Sequence, residues 1–118
     1  MTDQRFIIEM GMGNDQYGMD YTKSASRAIE DAIRHSAFPM YQSTSLDPSM
    51  MRVEVTVGVA EPDKVDCDAL VGCLPRGRAS VKAVKGGLNV ANDETGTTIV
   101  IATAAVEAFL PPQGAKQG

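Results

Sequence analysis

In residues 51–59, apolar side chains alternate with Arg, Glu, Thr and Gly, and this pattern constrains the fold more than any other. The odd positions are all apolar: Met51, Val53, Val55, Val57 and Val59. A period of two residues is that of a β-strand with one buried face. The chain therefore builds an amphipathic sheet, and Arg52, Glu54 and Thr56 lie on its second face.

Strand-like and helix-like segments alternate around this strand. Arg5–Met10 has the period of a strand, and Tyr21–Ala37 has an apolar stripe at helical spacing. Asp20 precedes that helix as an N-cap, because its carboxylate can accept a hydrogen bond from a free backbone N–H. We predict the other elements in this order: a second helix opened by Glu61-Pro62 and closed by Pro75, strand three at Arg78–Lys85, a loop at Gly86–Gly96 and strand four within Thr97–Phe109.

The element order β-α-β-α-β-β predicts an α+β fold with two layers. Residues 1–110 form one domain, a four-stranded mixed sheet with both helices on one face and at least one parallel βαβ unit, and residues 111–118 form a flexible tail. Ile8 and Met10 are expected under the helices, which places Glu9 on the other face with Glu54. Strand four is apolar on both sides, so that other face is either a subunit interface or a partly solvated sheet face.

Composition excludes several classes of function. The 118 residues carry a net charge of −4 without a run of like charge, and they include no Trp. Nucleic-acid binding is therefore not expected, because it depends on clustered Lys and Arg. The N-terminus lacks the pattern of a secretory signal, and the longest apolar run is too short to span a bilayer. We expect a cytoplasmic protein with reduced cysteines, no membrane contact and no cofactor.

The stretch from Glu9 to Asp20 concentrates glycines and acids between a strand and a helix. Glycines in such a loop allow a close approach to a ligand, and the helix N-terminus offers free backbone N–H groups to an anion. The candidate ligand-binding residues here are Gly11, Gly13, Asp15, Asp20 and Lys23. Two alternatives stay open: a tight loop with Asp20 as cap, and a Mg²⁺ or Ca²⁺ site on Glu9, Asp15 and Asp20.

The lysines of strand three are the candidate catalytic groups. A lysine on an enclosed polar face can act as a base, so Lys82 and Lys85, with Glu9, are the candidates for hydrolysis or proton transfer. Glu54 joins them as a ligand-binding residue. The protein is then a homo-oligomer with a small-molecule site at its subunit interfaces. The alternatives are solvent-facing lysines and a non-catalytic module that binds a metabolite or a protein.

Six segments of the chain carry a resemblance when they are taken together: Phe6–Asp15, Gly18–Lys23, Asp31–Ile33, Arg52–Val55, Gly86–Leu88 and Ala104–Glu107. They resemble a family of conserved, uncharacterised small bacterial proteins known by a locus tag. The resemblance covers nearly the whole chain and implies no particular activity.

A second likeness concerns the run from helix two to strand four. Its order of helix, Pro75, strand, lysine, Gly86-Gly87, polar loop and apolar strand is similar to one repeat of the ring-opening amidohydrolases. Those enzymes place Ser-Lys pairs at the centre of a three-fold assembly, which implies a trimer with Lys82 or Lys85 as the matching lysine. The Ser-Gly-Gly of that family is not met, because Lys85 precedes the glycine pair.

Overall fold

The computed structural model describes residues 4–34, 51–74 and 78–110. Five strands form one mixed sheet, and two helices lie on one of its faces. The elements are β1 (Gln4–Asp15), α1 (Tyr21–Arg34), β2 (Arg52–Val59), a 3-10 turn (Pro62–Lys64), α2 (Cys67–Val71), β3 (Arg78–Lys85), β4 (Leu88–Asn92) and β5 (Thr97–Leu110). The predicted α+β class is confirmed, with one strand more than expected. The predicted end of the first helix at Ala37, the closing Pro75 and the tail over residues 111–118 lie outside the described residues.

Strand β5 is the centre of the sheet. It pairs antiparallel with β1 on one side and antiparallel with β2 on the other, so β1 and β2 run parallel to each other. Strand β3 pairs parallel with β2 and completes the predicted βαβ unit. The order across the sheet is β1-β5-β2-β3, and β4 pairs with β5 beyond the end of β2.

The extra strand, β4, begins after two glycines. At these glycines the chain leaves β3, which pairs with β2, and enters β4, which pairs with β5. The Gly86 amide donates to the Val59 carbonyl at 2.8 Å, and Gly87 adopts a φ of +62°. A Cβ on Gly87 would lie 2.2 Å from the Ile101 carbonyl oxygen, so no larger residue fits. The prediction of a loop throughout Gly86–Gly96 is therefore wrong, because its first part pairs with β5.

Helix α1 packs on β1 with almost nothing between the two backbones. A Cβ on Gly11 would lie 2.4 Å from the Ala32 nitrogen, and one on Gly13 would lie 2.4 Å from the Ala28 nitrogen. Both alanines are fully buried. The prediction that Gly11 and Gly13 belong to a loop is wrong, because β1 continues to Asp15 and these glycines make room for the helix.

This contact reverses the expected faces of β1. Because the glycines face the helix, the alternate residues Ile8, Met10 and Met12 face away from it, and their exposed fractions are 44%, 70% and 61%. Glu9 pairs with the buried Val106 and lies on the helix side. The prediction that Ile8 and Met10 pack under the helices, with Glu9 on the back, is therefore wrong.

The core lies between the sheet and the helices. It consists of the helix-facing residues of β2 and β5 together with the inner side of α1, and its largest fully buried members include Val53, Val57, Val106, Ile29 and Leu70. No helix in the described part of the chain has the length and the apolar content to cross a bilayer.

The predicted second helix is two short pieces rather than one. The 3-10 turn ends at Lys64, and the next residue, Val65, has an extended ψ of 129°. Asp66 then starts α2 as its N-cap, since its carboxylate accepts a hydrogen bond from the Ala69 amide at 3.1 Å. The apolar residues of the two pieces together have the spacing of one helix, so the sequence pattern did not reveal that a second helix begins at Asp66.

Replacing Gly11 by Ala should lower the free energy of unfolding by about 3 kcal/mol or more, because the new Cβ would collide with the α1 backbone. Urea titration followed by circular dichroism measures the change. Gly72→Ala is the matched control, since Gly72 has helical dihedrals and its nearest neighbour to an added Cβ is at 3.5 Å. Equal stability of the two variants would contradict the packing argument.

Candidate functional site

The face of the sheet opposite α1 and α2, here named the open face, carries side chains aligned in rows. The register of β1, β5, β2 and β3 defines these rows because paired residues point to the same side. One row consists of Met10, Ala105, Thr56 and Lys82, and the next consists of Met12, Thr103, Gly58 and Val84. Beyond them, Leu88 and Val90 of β4 pair with Ile101 and Ile99.

A groove of about 540 Å³ crosses these two rows. Small residues lie along its middle, and larger apolar residues line it on β1 and β3. The absence of a side chain at Gly58 leaves the floor of the groove open, since a Cβ there would lie 2.8 Å from the Thr103 hydroxyl oxygen. The lining residues are Met10, Gly11, Met12, Asp31, Thr56, Gly58, Val84, Lys85, Gly86, Thr103, Ala104 and Ala105.

Two hydroxyl groups supply the polar functions in the middle of the groove. Within residues 4–34, 51–74 and 78–110, neither Thr56 nor Thr103 has a side-chain hydrogen-bond partner. An apolar concavity of several hundred Å³ with a few unengaged polar groups is typical of small-molecule sites. The groove is therefore the best candidate site that the described residues form.

The charged end of the open face is neutralised within the chain. The Arg5 guanidinium lies 3.0 Å from the Glu107 carboxylate. Arg52 is ion-paired with Glu54, and its guanidinium carbon lies 4.1 Å from the centroid of the Phe109 ring. Glu54, predicted to bind a ligand, is thus on the open face but is already engaged by Arg52.

The three predicted catalytic residues do not come together. Lys82 lies on the open face beside Thr56, and Lys85 lines the groove at the end of β3. Glu9 lies on the helix side of the sheet, so the sheet separates it from Lys82 and from Glu54. The prediction that Glu9 and Glu54 share a face is wrong for the same reason that the faces of β1 are reversed.

The turn between β1 and α1 is organised by Asp15, which is buried. Its carboxylate accepts hydrogen bonds from the Gly18 and Asp20 amides, at 3.1 and 2.9 Å. The ammonium of Lys23 lies 3.6 Å from it, and the guanidinium of Arg27 lies 3.9 Å from it. The Asp20 hydrogen bond, with the charge of Lys23, holds the pKa of Asp15 below its usual value of 3.8, although burial acts in the opposite direction.

Asp20 caps α1 as predicted, since its carboxylate accepts a hydrogen bond from the Lys23 amide at 3.0 Å. The helix N-terminus thus has a carboxylate of the chain itself, which favours the interpretation of this segment as a tight structural turn. Glu9 and Asp15 lie six positions apart on β1, about 20 Å along the strand. The described residues contain no group of three or more acidic, His or Cys side chains that could hold a metal ion, so the predicted Glu9-Asp15-Asp20 site is not formed.

A set of linked hydrogen bonds on the helix side of the sheet was not predicted from the sequence. The buried Tyr21 hydroxyl donates to Glu61 at 2.9 Å and accepts from the Asn89 amide nitrogen at 2.8 Å. The Tyr21 hydrogen bond and then Lys64 hold the pKa of Glu61 below its usual value. These residues lie far apart in sequence and form no local pattern. For the groove, the available signal was the alternation of glycines with Met10 and Met12.

Comparison with known proteins finds one family and one solved structure that match nearly the whole chain. The family described as "Conserved hypothetical protein (Lin0512_fam)" matches residues 5–108. The crystal structure of an FtsZ-like protein of unknown function from Nostoc punctiforme is 35% identical, with a TM-score of 0.79, and the match covers 95% of this chain and 99% of that one. None of the curated proteins compared with the chain matches it.

Replacing Asp15 by Asn should lower the free energy of unfolding at pH 7 by about 2 kcal/mol, because two charge-assisted hydrogen bonds become neutral ones. The pKa of Asp15 is lowered by folding, so its contribution is complete above the unfolded pKa and is lost as the pH falls through the folded pKa. Chemical denaturation of both proteins between pH 7 and pH 2 measures the gap. A gap that stayed constant across this range would contradict the assignment.

Proposed function

This chain belongs to the Lin0512 family of conserved hypothetical proteins, and we propose that it is a homo-oligomer whose open faces enclose a small-molecule site. The observation that carries the proposal is the apolar part of the open face and the groove within it. A sheet face in contact with water is normally polar. Here Met10, Met12 and Leu88 are more than half exposed.

The apolar exposure is contiguous rather than scattered. Ile8, Met10 and Met12 follow one another along β1, Leu88 and Val90 follow on β4, and these strands flank β5 on its two sides. Contiguous exposed apolar surface marks interaction sites in soluble proteins. The exposed apolar surface extends beyond the groove to β4, so its extent supports a protein interface as well as a ligand pocket.

A second copy of the chain is the occupant that the charges favour. The pairs Arg5–Glu107 and Arg52–Glu54 are complete within one chain, so an identical partner can cover them without leaving an isolated buried charge. Symmetric homo-oligomers are the commonest assemblies of soluble proteins, and a chain of 12.5 kDa gains a larger buried core by forming one. The likeness to ring-opening amidohydrolases favours a trimer.

Binding is the function that the geometry supports better than catalysis. Of the predicted catalytic residues, Lys82 alone has its side chain on the open face by register, and Ser80, two residues away, shares that face. Hydrolysis by a Ser80–Lys82 pair is therefore the second candidate, and Glu9 has no part in it. We place the protein in the cytoplasm, where the free thiols of Cys67 and Cys73 would stay reduced.

We expect light scattering on a sizing column to give a native mass that is a multiple of 12.5 kDa, three times that mass for the trimer. Met12→Asp should shift the mass to that of a monomer, because it buries an unpaired carboxylate at the interface. Tyr17→Asp is the control, since Tyr17 is 83% exposed and belongs to the turn before α1 rather than to a strand of the open face. A wild-type protein that elutes as a monomer would refute the assembly.

A further inference from the structure

The cations of the chain are distributed unevenly between paired and unpaired positions. Most of them lie within ion-pairing distance of an acid of the same chain: Arg5, Lys23, Arg27, Arg34, Arg52 and Lys64. Among the described residues, the cations without such a partner are Arg78, Lys82 and Lys85, and all three are on β3. In a protein of net charge −4, this strand is a local excess of positive charge.

One of these cations lines the groove at its β3 end, and a second lies next to the groove on the same strand. Lys82 is paired in register with Thr56, so its ammonium can reach the same ligand atoms as the Thr56 hydroxyl. Lys85 lines the groove beyond Val84. The β1 end is different, because Met10 and Met12 make it apolar, and the Asp31 carboxylate there accepts from the Met12 amide and is ion-paired with Arg34.

We infer that the ligand of the groove is a small organic anion with an apolar body and one carboxylate group. The inference rests on the proposed function and specifies its ligand. The apolar body lies against Met10, Met12 and Ala105. The carboxylate lies at the β3 end, where the Lys82 ammonium is its counterion and the Thr56 hydroxyl donates a hydrogen bond to it. A neutral or cationic molecule of the same shape lacks this interaction.

Lysines on an edge strand also have a structural use, since they discourage pairing with a neighbouring sheet edge. That role needs only exposed charge along the edge and makes no distinction between ligands. Lys82 is on such an edge strand, and its side chain lies on the open face in the row of Thr56, so position alone does not separate the two roles. Discrimination between matched anionic and neutral probes therefore separates the two roles.

The test uses benzoate, benzyl alcohol and benzylamine as probes of one shape and three charges. Ligand-observed NMR and thermal shift at millimolar concentrations measure binding to the full-length protein. We expect benzoate to bind at least tenfold more tightly than the other two, and added salt to weaken it. The Lys82→Met/Lys85→Met variant should lose this preference. The Lys64→Met variant should keep it, because Lys64 is bound to Glu61 and lies outside the groove.

The other outcomes separate the ligand class from the proposed function. Equal binding of benzoate and benzyl alcohol, unchanged in the double lysine variant, would overturn the inference and leave a small-molecule groove in place. Binding of none of the probes by an intact oligomer would overturn both the inference and the small-molecule site. The native mass, measured on the same samples, decides the oligomeric part separately.

Discussion

The closeness of α1 to β1 is the constraint on which the rest of the structure depends. Larger side chains between a helix and a sheet keep the two backbones apart. Gly11 and Gly13 have no side chain, and the helix residues that face them, Ala32 and Ala28, are small and buried. Once alternate positions of β1 are committed to glycine, the strand's remaining side chains must point to the other face. Met10 and Met12 are therefore outside because the helix is close.

The open face that results combines two kinds of surface. Toward one end, arginines and glutamates of β1, β2 and β5 neutralise one another, and Arg52 also covers the Phe109 ring. In the middle, small residues leave a depression between methionines and Val84. The β3 cations, which have no acidic partner within the described residues, make one end of this depression basic, while the methionines make the other end apolar. The groove and the unevenly distributed charges thus lie on one face of the sheet.

The sequence predicted those elements whose local pattern agrees with their environment. Strand β3 and the start of α1 are where the periodicities placed them, and Asp20 is the expected cap. The faces of β1 could not be predicted, because a hydrophobic pattern assumes that apolar residues point inward, and only the position of the helix shows that the glycines do. Strand β4 was missed because its five residues lie in a Gly- and Asn-rich run. The Tyr21 hydrogen bonds join α1 to Glu61 and to β4, which are far apart in sequence, so no local pattern records them.

The position of β5 has a consequence for how the protein is made. This strand pairs with β1, β2 and β4, yet it follows all of them in the chain. During synthesis, the earlier strands leave the ribosome with the central column of their sheet still missing. Contacts between β1 and β5 join residues nearly a full chain length apart, which makes folding slow. Until residues 97–110 emerge, β1 and β2 lack their shared pairing partner, and unpaired apolar strands of this kind are prone to aggregate.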